Sequence, residues 1–372
     1  MCRTGCGLSS PSYPLLINGH RSRPHHHRTY RTLLESANKR GVRREIIEKD
    51  FWVCWTLKRL FQLPDLGPHL IFKGGTSLSK IFRAIARFSE DIDISIDRAY
   101  LGFEGDKDPE NIESRTKQKK TINQLRDVCR AKVNEELLPQ LIAATEEILG
   151  PRENGNQQLW SITPYDKDPD GQSLVFAYPT VAEEAFIEEN PYVKPSVLIE
   201  FGARADHWPA EEFPITPYAA EDFPQYFEQR SHTLKVLAAE RTFWEKATLL
   251  HSENHRPEEK ATADRISRHY YDLHELAKSE FADRSLNQLD LLKHVIEHKK
   301  IFFARASDDY DEALRGHLHM VPLEARRDAL SRDYERMQRD RMFFGQAPTL
   351  DDILKSLKAL EARINDAILK RG

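Results

Sequence analysis

Apolar positions along this chain follow two regimes: short runs mixed with helical stripes up to about residue 285, and helical stripes alone beyond it. Over 30–62, Ile46, Ile47, Phe51, Trp55, Leu57 and Leu60 share a broad face at three- and four-residue spacing, which predicts amphipathic helix. Leu70-Ile71-Phe72 is a short apolar run that leads into glycines and predicts a strand. Around 91–94 the pattern alternates, with Ile92 and Ile94 on one face and Asp91 and Asp93 on the other. From about 117 to 149 helical periodicity returns through Leu125, Val128, Val133, Leu137, Leu138, Leu141 and Ile142. Pro139 predicts a kink or break there, and Gly150-Pro151 a stop. Strands are predicted over 174–178 and 197–201, and helices over 237–251 and 263–277. The last helix starts with Thr349 as N-cap and carries the stripe Ile353, Leu357, Leu360, Ile364 and Ile368. Strands and helices first, then helices alone, predict an α/β (α+β) core with a small mixed sheet and a C-terminal helical bundle.

Composition narrows the options. With 55 basic and 59 acidic residues there is no global polycation, so nucleic-acid binding would need a local patch. No apolar run approaches the length of a membrane span. Cys2, Cys6, Cys54 and Cys129 lack zinc-type spacing and read as free thiols of a cytoplasmic protein. Residues 1–28 are rich in Ser, Pro, Arg and His without periodicity and read as a disordered tail, His25-His26-His27 included. The expected division is this tail, a core over 29–235 and a helical domain over 236–372.

The chemistry concentrates in residues 73–95, KGGTSLSKIFRAIARFSEDIDIS. The turn Gly74-Gly75-Thr76-Ser77 opens a short amphipathic run, and Arg87, Ser89 and the pair Asp91 and Asp93 follow. Two carboxylates on one strand face repel, and a divalent cation is the usual relief. The turn has neither P-loop nor GxGxxG spacing, because Lys73 precedes the glycines. Asp166, Asp168, Asp170 and Gly171 imitate an EF-hand opening, yet Ala177 stands where the bidentate Glu is needed. A solvated acidic turn is the better reading. On 237–251, Glu240 and Lys246 flank the apolar face of Phe243, Ala247 and Leu250, where a lysine commonly snorkels. Arg265, Arg268 and Asp272 fall on one ridge of 263–277, compatible with a surface Arg268–Asp272 pair. Arginines within 326–341 interleave with acids, as on an ordinary charged face.

KGGTSLSK followed by RFSEDIDIS resembles motif I of the AbiEii/AbiGii (MenT-type) nucleotidyltransferase toxins, within the DNA polymerase β-like superfamily. The preceding Ile47-Glu48-Lys49-Asp50-Phe51-Trp52-Val53 and the later Glu240-x5-Lys246 and Arg265-x2-Arg268-His269-Tyr270-Tyr271-Asp272-Leu273 are similar to family segments, so the resemblance spans roughly 43–280. His269 stands where many members have Asp. The resemblance implies a polymerase β-like core whose helical domain completes the active-site cleft.

It further implies an Mg²⁺-dependent transfer from an NTP, with one or two Mg²⁺ ions held by Asp91 and Asp93. Glu200 is the candidate third carboxylate, a strand-end Glu facing water being the alternative. Lys246 would neutralise triphosphate charge, and Asp272 would either position it or orient the groups around the nucleotide. Lys73, Gly74, Gly75, Thr76, Ser77, Arg87, Ser89, Glu240, Arg265 and Arg268 would surround the nucleotide. The implied acceptor is the tRNA 3′ end, and the implied partner a separately encoded antitoxin. A nucleotide-binding module without turnover and a protein-modifying phosphotransferase stay open as alternatives.

Overall fold

The computed structural model of the protein describes residues 23–155, 157–180, 194–305, 307–339 and 342–371, with side chains from residue 31 onward. Helix α1 (Arg23–Arg40) begins inside the segment expected to be a disordered tail. Residues 1–22, with Cys2 and Cys6, and the side chains of His25 to His27 lie outside the description. The periodic stretch 30–62 divides at Gly41, whose φ of +65° ends α1 before α2 (Arg44–Phe61).

A seven-stranded mixed sheet forms the centre. Its strands are β1 (Leu70–Lys73), β2 (Ile92–Ile96), β5 (Ser161–Pro164), β6 (Ser173–Ala177), β7 (Ser196–Gly202), β8 (Ala210–Ile215) and β9 (His232–Leu237), in the order β5-β6-β7-β2-β1-β9-β8. A separate ribbon joins β3 (Glu153–Asn154) to β4 (Gln157–Gln158). The expected strands at 70–72, 91–94, 174–178 and 197–201 are present; β5, β8 and β9 were not anticipated. In β8 the run Ala210-Glu211-Glu212-Phe213-Pro214-Ile215 has too few apolar residues to announce a strand. It forms because its whole length pairs with β9.

Between β1 and β2 lies α3 (Gly74–Lys80), and between β2 and β3 lie α4 (Arg115–Ala131) and α5 (Leu138–Leu149). Pro139 does not break this long helix: one widened π-helical segment, Lys132–Leu137, absorbs the ring and the lost N–H. The short α6 (Tyr218–Asp222) precedes β9. The C-terminal part is helical as expected: α7 (Ala239–Asn254), α8 (Ser267–Lys278), α9 (Glu280–Leu286), α10 (Leu289–Phe302), α11 (Tyr310–Leu314), α12 (Glu324–Arg339) and α13 (Leu350–Arg371).

Two cores result. One holds Trp52, Trp55, Leu57, Leu125, Leu137 and Leu141 against Ile92, Ile94, Ile96, Phe176 and Ile199 of the sheet. The other joins Phe243, Trp244, Tyr270, Leu273, Val295, Leu330, Ile353 and Leu357 around Leu78 of α3, and Phe82 packs against both. Burying Ile92, Ile94 and Ile96 contributes about 2 kcal/mol each. That outweighs a repulsion of roughly 1–4 kcal/mol between partly exposed carboxylates on the opposite face. Strand β2 can therefore carry like charges. Cys54 and Cys129 are free and buried, and burial pushes the Cys129 thiol up to about 12. No helix among the described residues is long and apolar enough to cross a membrane.

Candidate active site

Strand pairing places three charged residues abreast. β1 and β2 run antiparallel with Lys73 opposite Asp93, and β2 and β7 run parallel with Asp93 opposite Glu200. Ile92 pairs with Ile199 on the core side, so the alternation turns Asp93 and Glu200 to the other face together. Asp91 precedes β2, and its carbonyl accepts a 2.5 Å hydrogen bond from Thr76 Oγ1.

The two glycines explain themselves here. Gly74 has φ +81°, and a Cβ on it would come within 1.9 Å of Asp93 Oδ2. A Cβ on Gly75 would meet Arg87 Nη2 at 2.8 Å and Ser89 Oγ at 2.9 Å. The pair leaves room for the groups gathered around it. Helix α2 braces the same loop: Lys49 pairs with Glu90 at 2.6 Å, and Asp50 with Lys80 at 2.7 Å. Asp50 also accepts the Tyr218 N–H at 2.6 Å. Lys49 and Asp50 thus anchor the residue before Asp91 and the end of α3.

Charge on the sheet side is unbalanced. Loss of hydration, then Asp93 and Asp91, push Glu200 up to about 7, against Arg268 and Lys73. The Glu200 side chain stays exposed, so water screens part of this repulsion. Asp91 Oδ2 lies 3.9 Å from Arg265 Nη1 and 3.8 Å from Arg268 Nη1. Among the described residues no three His, Cys, Asp or Glu side chains form a ready-made metal cage. Mg²⁺ is commonly bound through one or two carboxylates, waters and substrate phosphates, and Asp91 with Asp93 fits that donor set. Glu200 stands beside them as a third oxygen source.

The helix side is balanced internally. Asp272 is fully buried and accepts two bonds from Arg87, from Nε at 2.6 Å and Nη2 at 2.9 Å. Lys246 Nζ lies 2.9 Å from Asp272 Oδ2 and 3.2 Å from His269 Nδ1. Desolvation opposes ionisation of Asp272, but Arg87 and Lys246 together hold its carboxyl below the usual range. Burial lowers Lys246, with Asp272 opposing. Burial and then Lys246 keep His269 neutral, the form in which Nδ1 can accept a proton donor.

Several expected nucleotide contacts sit elsewhere. Thr76 and Ser77 are fully buried; Thr76 donates to Asp91 O, and Ser77 to Gly74 O at 2.9 Å. Arg87 is 2% exposed and committed to Asp272. Glu240 pairs with Arg284 of α9 at 2.5 Å. Arg265 precedes α8 with φ +56°, so it does not share a helical ridge with Arg268 and Asp272. Asp272 pairs with Arg87 and Lys246 in the interior, which sets aside the alternative of a surface Arg268–Asp272 pair. The acidic turn at 166–171 is tied down, with Asp168 accepting from Asp170 N, Gln172 N and Ser173 Oγ.

Of the charged residues expected at the site, Lys73, Asp91, Asp93, Glu200, Arg265 and Arg268 keep their side chains at least partly exposed. The sequence reading missed Glu245, whose carboxyl is drawn below its ordinary value despite burial by Arg241, Lys73 and Lys299. It also missed Asp333 of α12, which accepts backbone N–H groups of Arg265 and Ser267. Glu245 is one of the unspecified positions of the Glu240-x5-Lys246 segment, and Asp333 is far away in sequence and comes near only by packing.

Strand carboxylates beside a glycine turn, faced by a lysine–aspartate pair on helices, make up the kind of site nucleotidyl transferases use. The chain belongs to the family described as nucleotidyl transferase AbiEii toxin, type IV TA system, whose sequence model matches residues 55–356. It is a nucleotidyltransferase toxin of a type IV toxin–antitoxin system. A solved structure of MenT4, a nucleotidyltransferase toxin from Mycobacterium tuberculosis H37Rv, is 17% identical, with 90% of this chain and 97% of that chain covered and a TM-score of 0.43. No curated protein matches the chain.

Proposed function

We propose that this toxin uses Mg²⁺ to transfer a nucleotidyl group from an NTP to the 3′ end of tRNA, and that a separately encoded antitoxin restrains it. The observation that carries the reading is the row Lys73, Asp93 and Glu200 on adjacent strands, with Asp91 beside it and two arginines opposite.

Asp91 and Asp93, with Glu200 adjacent, would hold the Mg²⁺, which when bound neutralises triphosphate oxygens and favours an attacking oxygen. The chain's own cations supply the rest of the electrostatics. Arg265 and Arg268 are forked donors suited to phosphate, and Lys73 adds a point charge from the strand end. An incoming triphosphate offers these arginines a stronger partner than Asp91 at 3.8–3.9 Å, freeing Asp91 for the metal. Asp272 and His269 keep Lys246 in one place, so its charge is fixed before substrate arrives.

The test is incubation of the purified protein with each NTP labelled at the α- or γ-phosphate, Mg²⁺ and total tRNA. Label from the α position is expected on tRNA with wild type, and none with Asp91→Ala. Transfer of γ label to protein would instead identify a phosphotransferase. Expression should arrest growth, and Asp91→Ala or Lys246→Ala should relieve the arrest. Arrest undiminished in both variants would sink this mechanism.

A further inference from the structure

Segment 256–268 delivers two cations to the carboxylate face, and it is held there from a distant helix. α8 starts at Ser267, and its flanking residue Ile266 provides no side-chain cap. Asp333, in the middle of α12 and 6% exposed, fills that role. Its Oδ1 accepts the Arg265 N–H at 3.2 Å and its Oδ2 accepts the Ser267 N–H at 2.8 Å. Arg336 Nη2 also donates to Oδ1, at 2.9 Å.

The chain turns through Arg265 between those two bonds, at φ +56°. A residue with a long side chain rarely holds that left-handed conformation unless its surroundings impose it. Asp333 is what imposes it here, since its two oxygens fix the N–H groups on both sides of the turn.

Seven positions earlier on α12, and so on the same face, Arg326 donates to the carbonyls of Arg256 at 2.8 Å and Pro257 at 2.7 Å. One helix face therefore grips both ends of the segment. The consequence is read at the far end of two side chains, where the Arg265 and Arg268 guanidiniums both come within 4 Å of Asp91 Oδ2.

We propose that Asp333 is a positioning residue of the nucleotide site. By clamping the Arg265 turn it aims both guanidiniums at the place beside Asp91 where the triphosphate binds. This rests on the reading of the cleft as an NTP site. A cap that served only α8 would stabilise the helix and leave phosphate affinity to the arginines alone.

The experiment measures binding of Mg²⁺–tripolyphosphate, which carries the phosphates of any NTP and no base, to the full chain by calorimetry. Circular dichroism checks folding of each variant. Asp333→Ala is expected to weaken binding about tenfold, and Asp333→Asn about two- to threefold, since its single carboxamide oxygen still accepts one N–H. In an Arg265→Ala/Arg268→Ala background, Asp333→Ala should add less than about twofold, because the groups it positions are gone.

A folded Asp333→Ala protein binding within about twofold of wild type overturns the proposal, as does equal weakening in both backgrounds. If Asp333→Ala does not fold, Asp333→Asn decides: binding unchanged from wild type, or equal weakening in both arginine backgrounds, overturns the proposal. Failure of the underlying site reading looks different: the double arginine variant then binds tripolyphosphate as well as wild type, and both inferences fall.

Discussion

The two sides of this cleft handle charge in opposite ways. On the sheet side Asp91, Asp93 and Glu200 crowd together, and loss of hydration together with their repulsion pushes Glu200 up to about 7. On the helix side one carboxylate, Asp272, has two cations within 3 Å and no contact with water. Burial explains the difference. A charge removed from water must be paired inside the fold or it costs several kcal/mol. Like charges at a partly exposed strand end are tolerable, provided apolar burial behind the strand outweighs them. The sheet side is thus the one a cation from outside would relieve, and the helix side holds its own shape.

Two substitutions should separate these regions most sharply. Asp93→Ala is expected to lower nucleotidyl transfer by about three orders of magnitude while leaving the melting temperature unchanged or raised. Asp272→Ala strands Arg87 and Lys246 without a counter-charge and should cost about 3–5 kcal/mol in denaturant unfolding. If Asp93→Ala destabilised the fold as much as Asp272→Ala, the contrast would collapse.

Acid titration gives a smaller effect, through buried histidines rather than through the carboxylates themselves. Burial lowers His207 and His251 to about 4, and His269 well below its ordinary value. The unfolded chain takes up these protons near pH 6.5, whereas folded His207 and His251 do so only near pH 4. Stability is therefore complete above about pH 6.5 and is lost progressively as pH falls toward 4. A melting temperature lowered by about 5 °C or more between pH 7 and pH 5 is expected.

The smallest effect has the opposite sign. Glu200 binds its proton more readily folded than unfolded, so its cost to stability is fully present above pH 7 and vanishes below about 4.5. Glu200→Gln should raise the melting temperature by about 1–2 °C at pH 8 and not at pH 4.5, discounted because the side chain is exposed. An equal gain at both pH values would mean that the cost of ionising Glu200 is not the cause.

Much of this was legible without coordinates. Alternation at 91–94 gave the face shared by Asp91 and Asp93, and the strand at 197–201 offered Glu200 in the right phase to join them. What periodicity could not give was the partner of each buried charge. Arg87 and Asp272 are 185 residues apart and meet at 2.6 Å, a pairing that no local pattern encodes. The glycines are expected beside the nucleotide; their close approach to Asp93, Arg87 and Ser89 becomes visible only once those side chains have positions.

The sequence by itself determined the order of elements, the side of β2 on which charge falls, and the family to which the chain belongs, because alternation and motif spacing are local properties. Only the tertiary structure decided that Lys246 is latched to Asp272 and His269, that Glu240 serves Arg284, and that Asp333 turns Arg265 toward Asp91. Each of those outcomes depends on which distant group reaches a buried or strained site first, and that is settled when the two cores pack.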